Sequence, residues 1–307
     1  MTDALVIVNP AAGAGRVGRE WQRTATTLRE AGLDFEERFT NAPNHATALA
    51  REAVRAGRRA VVALGGDGTL NEVANGFFED GEVIPTTSSL GLIPYGTGGD
   101  TKRTFGIPID VGTAARVIQA GNTQTIDAGR VTIDGRVLHF INIAEAGLGA
   151  DVSDRVNRAP KVLGGKVSFA LGTVAGLAAW KHRQMRVVVD GDTTRDLLAQ
   201  AVTIANCQYY GGGMRVAPMA EPDDGLFDII ITGPLGKLEG LQGFSKIYAG
   251  THFEDPRLKL KLEHLRGRRI EVTSTESVLV QVEGEVVGRL PATFEIIPGA
   301  LKLLVPA

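Results

Sequence analysis

Two glycine-rich stretches carry the residues best suited to phosphate chemistry. Gly65-Gly66-Asp67-Gly68-Thr69-Leu70-Asn71-Glu72-Val73 follows the apolar run Ala60–Leu64 and leads into a helical pattern. Amides at a helix N-terminus face an anion, and glycines let the backbone approach phosphate oxygens with no Cβ in the way. Thr69 can cap that helix and hydrogen-bond a phosphate. Asp67 would be repelled by bare phosphates, so a Mg²⁺ between the two makes sense of a carboxylate there. A tight turn with an acidic cap is the plainer alternative, but three glycines within residues 65–68 exceed what a cap requires. Gly91-Leu92-Ile93-Pro94-Tyr95-Gly96-Thr97-Gly98-Gly99-Asp100 repeats the logic. Two such turns on one sheet edge could enclose a nucleotide. Arg16 and Arg103 follow turns of this kind, and with Lys161 or Lys166 they could neutralise phosphate charge. Each also reads as a solvated surface charge.

Other stretches are weaker. Gly13-Ala14-Gly15-Arg16-Val17-Gly18 has the G-x-G-x-x-G spacing of a dinucleotide site. In that motif the glycines follow the strand directly, whereas Asn9-Pro10-Ala11-Ala12 intervene here and Pro10 fixes its own φ. A strand-to-helix turn is the competing explanation. The phosphate loop G-x-x-x-x-G-K-[ST] is absent, because Val167 follows Gly165-Lys166. Glu283-Gly284-Glu285 sits between two strand patterns and by itself reads as a hairpin.

Together these residues resemble the diacylglycerol-kinase-type lipid kinases, whose catalytic fold is shared with NAD kinases. Asn9-Pro10-Ala11-Ala12-Gly13 is similar to the family's N-P-x-[AS]-G, and Gly65–Val73 to its G-G-D-G-T-x-N-E-V. Pro94–Asp100 is similar to P-x-G-T-x-N-D, with Gly99 where the family usually has Asn. In the second half, Asn206, Gly211-Gly212-Gly213-Met214, Ala217-Pro218 and Asp223-Asp224-Gly225-Leu226 resemble the bacterial lipid-kinase block. Glu283-Gly284-Glu285 is similar to a late D-G-E, with Glu283 for Asp. The resemblance implies that Gly65, Gly66, Asp67, Gly68, Thr69, Asn71 and Thr97 hold ATP, with Thr40 at the end of the second strand. It implies that Asp67 organises Mg²⁺ and that Glu285 is the general base. It implies a second, structural metal held by Asp224 with main-chain oxygens of Glu221 and Leu226. It implies ATP and a lipid as partners, peripheral contact with the inner face of a membrane from the cytoplasm, and leaves room for a homodimer.

The elements that must position these groups fall into two textures. Ala4–Val8, Asp34–Phe39, Ala60–Leu64 and Leu90–Pro94 read as strands. They alternate with helical stretches Arg16–Ala31, Asn44–Ala56 and Leu70–Phe78. That alternation predicts a parallel α/β sheet, whose ligands bind at the carboxyl ends of strands. From about Thr123, short strand patterns joined by Asp134-Gly135 and Asp190-Gly191 predict an antiparallel β-rich domain. Among them are Arg136–Ile143, Leu197–Ala205, Thr293–Ile297 and Leu301–Val305, interrupted by helices near Asp151–Arg158, Lys166–Lys181 and Leu235–Tyr248. The expected fold is an α/β nucleotide-binding domain over 1–125 and a β-rich lipid domain over 126–307. The resemblance puts the active site in the cleft between them.

Composition bounds the function classes. The chain has 307 residues, 43% hydrophobic and 22% charged, which excludes a disordered chain. With 33 basic and 35 acidic residues and a net charge of −2, no global basic field recruits nucleic acid. The single cysteine, Cys207, excludes an intrachain disulfide and a Cys-based zinc cluster. The sequence shows no signal peptide. The uncharged, helix-like stretch Val167–Trp180, flanked by Lys166 and Lys181, has 14 residues, short of the ~20 that span a bilayer. It reads as a core helix or one beside a lipid groove. Leu258-Lys259-Leu260-Lys261-Leu262 would, as a strand, show a basic face to solvent or to anionic headgroups. The leading function is an ATP-dependent kinase of a lipid hydroxyl, most simply diacylglycerol. The alternatives are a kinase of NAD, a binding protein without turnover, and a nicotinamide oxidoreductase.

Overall fold

A computed structural model describes residues 3–95, 99–158 and 181–307. The chain divides into two units, residues 1–126 with 299–307 and residues 127–298. Gly299–Ala307, which the sequence reading assigns to the second domain, belongs to the first unit.

Unit 1 begins with β1 (Ala4–Val8), α1 (Ala12–Glu30), β2 (Phe35–Phe39), α2 (His45–Arg55), β3 (Ala60–Gly65) and α3 (Asp67–Asn75). It continues with β4 (Phe78–Glu79), β5 (Glu82–Val83), β6 (Ser89–Pro94), α4 (Asp100–Thr104) and α5 (Val111–Ala120). β1 pairs in parallel with β2 and β3, and β3 with β6. β1, β3 and β6 are buried along their whole length, as strands covered on both faces must be. Strand order places β1 between β2 and β3, so successive connections leave β1 in opposite directions. The switch point, where ligands bind in such sheets, therefore lies at the carboxyl ends of β1 and β3. α1 and α5 cover one face over Val6, Trp21, Leu28, Ile93 and Ile118.

Unit 2 holds most of β7 (Thr123–Ile133), then β8 (Arg136–Phe140), β9 (Ile143–Gly147), α6 (Leu148–Arg158), β10 (Arg183–Val189), β11 (Thr193–Ala199) and β12 (Ala201–Ala205). After β13 (Phe227–Thr232) come α7 (Lys237–Ala249), α8 (Pro256–Lys259), β14 (Leu262–Gly267) and β15 (Arg269–Thr273). β16 (Leu279–Val282), β17 (Glu285–Arg289) and β18 (Ala292–Leu304) close the chain. One antiparallel sheet runs β14-β13-β12-β9-β16-β17. The other includes β11-β10-β15 and the first half of β18. Alternate residues of both fill one core, in which Phe140 and Phe227 stack 5.7 Å apart.

The regular right-handed part of α1 begins at Arg16, as expected, because Gly13, Ala14 and Gly15 before it all have left-handed backbone. Three expectations change. Leu197–Ala205 is not one strand but the end of β11 and all of β12, separated at Gln200. The two last strands are one, β18, and its tail joins unit 1 through Leu303 beside Leu90 of β6. Leu258–Leu262 is not a strand: Pro256–Lys259 forms α8, capped by the Asp255 carboxylate on the Arg257 and Leu258 amides. Thr97, Lys161, Lys166 and the stretch Val167–Trp180 lie outside the described residues.

Candidate active site

The sequence-predicted phosphate turns meet at the switch point of unit 1. Asn9 follows β1 and donates from Nδ2 to Thr69 Oγ1 at 3.0 Å, joining the turn after β1 to the turn after β3. Its Oδ1 accepts the Ala11 amide. Thr69 is buried, and its methyl and hydroxyl fill the space where a Cβ on Gly65 would stand, 2.5 Å from Oγ1. Gly65 is thus required by packing. Gly66 and Gly68 are different: a Cβ at either would meet nothing within 4 Å. Their bareness serves no contact within the protein and leaves a surface that another molecule's atoms can approach. Thr40 sits at the same edge, its amide bonded to Val8 O at 2.9 Å. Arg16 lies over the Tyr95 ring at 5.0 Å, just past β6.

Asp67 opens α3, and its carboxylate reaches across to the turn after β6. Oδ2 accepts the Gly99 and Asp100 amides at 2.8 and 3.0 Å, and Oδ1 accepts that of Thr101 at 3.2 Å. It therefore caps α4 as well as standing in the glycine turn. A carboxylate has about four lone-pair sites, and Mg²⁺ in phosphoryl transfer takes only one or two carboxylates beside phosphates and water. Asp67 fits a Mg²⁺-nucleotide on that count. Arg103 binds Gly99 O at 3.0 Å and lies 3.5 Å from Asp100, so it closes the same turn. Asn71 is drawn along α3 instead, its carbonyl oxygens accepting from Asn75.

In unit 2, Val282-Glu283-Gly284-Glu285 is a two-residue hairpin with φ of +54° and +85° at Glu283 and Gly284, as a type I′ turn needs. Glu283 holds it to the rest of the unit: Oε1 accepts the Ile141 and Asn142 amides at 2.9 and 2.7 Å. Buried Gln281 accepts the Gly284 amide. Glu285 is left exposed at the start of β17.

The proposed metal turn is arranged differently. Asp224 Oδ1 accepts the Leu226 amide at 3.0 Å, and Oδ2 is paired with the Arg266 guanidinium. Glu221 is exposed. A cationic side chain already neutralises the carboxylate, so these residues as arranged do not fit a divalent ion. Among the described residues no three His, Cys, Asp or Glu side chains converge on a metal position. The turn is held instead by Asp127, which accepts the Gly225 amide at 2.7 Å.

Sequence reasoning missed a cavity in unit 2, with about 950 Å³ of empty space counted to its open mouth. Its walls are largely apolar and include Val152 of α6, Ile230 of β13, and Phe244 and Ile247 of α7. Glu145 of β9 also lines it and is almost wholly buried. Burial raises its pKa, opposed by hydrogen bonds from Tyr210, the Gly149 amide and Thr203. The signal was a lone Glu in the apolar run Ile143–Gly147.

The match to known families is extensive. The family model described as the diacylglycerol kinase catalytic domain matches residues 3–131. The YegS C-terminal NAD kinase beta sandwich-like domain matches residues 142–305. A diacylglycerol kinase of Mycobacterium tuberculosis is 31% identical over 307 residues, covering 98% of this chain and 94% of the relative. The chain belongs to the diacylglycerol kinase family. A diacylglycerol kinase of Bacillus subtilis is 28% identical, covering 96% and 93% of the two chains. A crystal structure of a diacylglycerol kinase from Bacillus anthracis shares the fold, with a TM-score of 0.73 at 23% identity over 99% and 96% of the chains. The protein is a lipid kinase, with an α/β unit followed by an antiparallel β-rich one.

Its two departures from the family pattern have local explanations. Gly99 has a φ of +100°, and the end of the Lys102 side chain lies 2.6–2.8 Å from where its Cβ would stand. Lys102, itself buried, thus fills the space a larger residue 99 would take. Glu283 uses its longer arm to reach two amides.

Proposed function

We propose that this lipid kinase transfers the γ-phosphoryl group of ATP to the free hydroxyl of diacylglycerol, giving phosphatidic acid and ADP. The observation that carries the reading is the bare cradle at Gly66 and Gly68, set at the switch point and braced by Asn9 on Thr69. Backbone amides at the start of α3 would take phosphate oxygens, and Thr69 keeps a hydroxyl hydrogen to donate. Arg16 would add positive charge at the same edge, Thr40 and Thr97 would contact the nucleotide, and Asp67 would hold Mg²⁺ with the phosphates. Arg103 would act through the turn it closes, and Asn71 through α3, where it is bonded to Asn75. The metal, when bound, neutralises charge on the transferring group.

Phosphoryl transfer depends mainly on positioning and charge neutralisation. The acceptor oxygen forms a bond to the γ-phosphorus as the bond to the β–γ bridging oxygen breaks, and ADP leaves. Glu285 would take the hydroxyl proton as that bond forms. Its exposure fits a base that must reach a substrate. The apolar cavity of unit 2 supports a lipid acceptor, since it offers walls for an acyl chain and few charged partners for a soluble one. Radiolabelled ATP, incubated with vesicles of diacylglycerol, monoacylglycerol, ceramide or phosphatidylglycerol and separately with NAD, tests the proposal. Label should enter phosphatidic acid first and fastest. Label in phosphorylated NAD with none in lipid would overturn it.

A further inference from the structure

α7 is apolar on two sides. Gly240, Gly243, Phe244 and Ile247 line the cavity. On the opposite side Leu238 and Leu241 stand 67% and 56% exposed, and on the flank Tyr248, packed edge-on against Phe244, is 42% exposed. α8 packs on the same helix, Leu258 lying against Gly243, and Leu260 at its end is 84% exposed. Four of the eight large exposed apolar side chains among the described residues therefore sit on these two adjoining helices. A surface helix normally turns its polar side outward. The same two helices carry exposed basic side chains, Lys246, Arg257 and Lys259. Hydrogen bonds from the Arg257 and Leu258 amides lower the pKa of Asp255, and the charges of Lys246 and Arg257 are close enough to lower it further. Two nearby acids cap the helix N-termini, Glu239 on the Gly236 amide and Asp255 on the amides of Arg257 and Leu258. Glu254 is a third acid, and it is exposed.

We propose that the outer face of α7 and the end of α8 form the surface by which this kinase sits on an anionic lipid bilayer. Leu238, Leu241, Tyr248 and Leu260 enter the headgroup–acyl boundary, and Lys246, Arg257 and Lys259 meet lipid phosphates. The inner face of α7 lines the cavity, so the helix that touches the bilayer also bounds the space proposed for an acyl chain. A second copy of the chain would leave those cationic groups facing their like, whereas an anionic surface complements them. The inference rests on the lipid-kinase assignment but not on which lipid accepts the phosphoryl group.

The test is sedimentation of the full-length protein with vesicles of phosphatidylcholine alone or mixed with phosphatidylglycerol. Wild type should bind, and more strongly to the mixed vesicles. Leu238→Glu/Leu241→Glu and, separately, Leu260→Glu should weaken binding about tenfold or more. Ile109→Glu, at an equally exposed leucine-sized residue of unit 1, should not. The same variants, assayed on short-chain diacylglycerol dispersed below its aggregation limit, should keep wild-type activity, which shows that they are folded. Unchanged vesicle binding by the double variant, or no binding by wild type, would overturn the inference. So would light scattering in which the double variant splits a dimer. Wild type inactive on every dispersed lipid would instead sink the acceptor assignment while leaving the vesicle result to be read on its own.

Discussion

At the scale of single residues, Gly66 and Gly68 separate folding from function. Gly68 lies in the first turn of α3 with open space around its Cβ direction. Alanine there should stabilise the protein by about 0.5–1 kcal/mol through helix propensity. It should also weaken ATP binding, because a methyl group would stand where a phosphate approaches. Thermal unfolding and nucleotide titration on Gly68→Ala check both signs. Asp67 caps α4 and, in the proposed mechanism, would also hold Mg²⁺. Asp67→Ala should cost about 1 kcal/mol, because three amides at the head of α4 lose their acceptor. Asp67→Asn keeps one oxygen, enough for the Gly99 and Asp100 amides, but loses the acceptor of the Thr101 amide, so its unfolding midpoint should lie between those of Asp67→Ala and wild type while turnover falls about 10²-fold or more. Equal kcat for Asp67→Asn and wild type at saturating Mg²⁺ would reject the nucleotide role. Glycines and the acid of this turn were legible because they are contiguous. The Asn9–Thr69 bridge, the Arg266 pairing of Asp224 and the Lys102 packing on Gly99 were not, since each depends on a partner fixed only by the folded backbone.

At the scale of elements, parallel strands were easy to read because their apolar runs are buried on both faces. α5 was missed although Asp110 caps it through the Thr113 amide and Gly121 ends it at a φ of +74°. Its helical signal lies between stretches that drew attention for other reasons. α8 was misread because alternating Leu and Lys has the period of a strand, while Asp255-Pro256 is a helix start. β9 was partly missed, and with it Glu145, which ties that strand to the head of α6 through the Gly149 amide and to the turn carrying Tyr210. Burial holds the folded pKa of Glu145 above its unfolded value. Its contribution to stability is therefore fullest below the unfolded carboxylate range and declines as pH rises toward the folded pKa. Glu145→Gln removes that decline. Relative to wild type, the variant's unfolding midpoint should rise on going from pH 4 to pH 8 (conditions of the proposed scan), as denaturation at about these two values would show. A constant difference between the two proteins would mean that Glu145 does not titrate with folding.

At the scale of the whole molecule, the division into an α/β half and a β-rich half was legible and the chain path was not. Texture separates an α/β half from a β-rich half, but the return of residues 299–307 to unit 1 depends on β18 continuing through Pro298-Gly299. Local turn chemistry argues for a break there. The central proposal assigns one task to each half: unit 1 would bind the nucleotide, and Glu285 of unit 2 would take the proton from the lipid hydroxyl. Glu285→Gln keeps the shape of the side chain at an exposed hairpin position and removes the base. The decisive measurement is kcat for diacylglycerol phosphorylation by this variant, with ATP affinity measured on the same preparation. The account predicts a kcat about 10²–10⁴ lower with ATP affinity unchanged. A variant with wild-type kcat would contradict it.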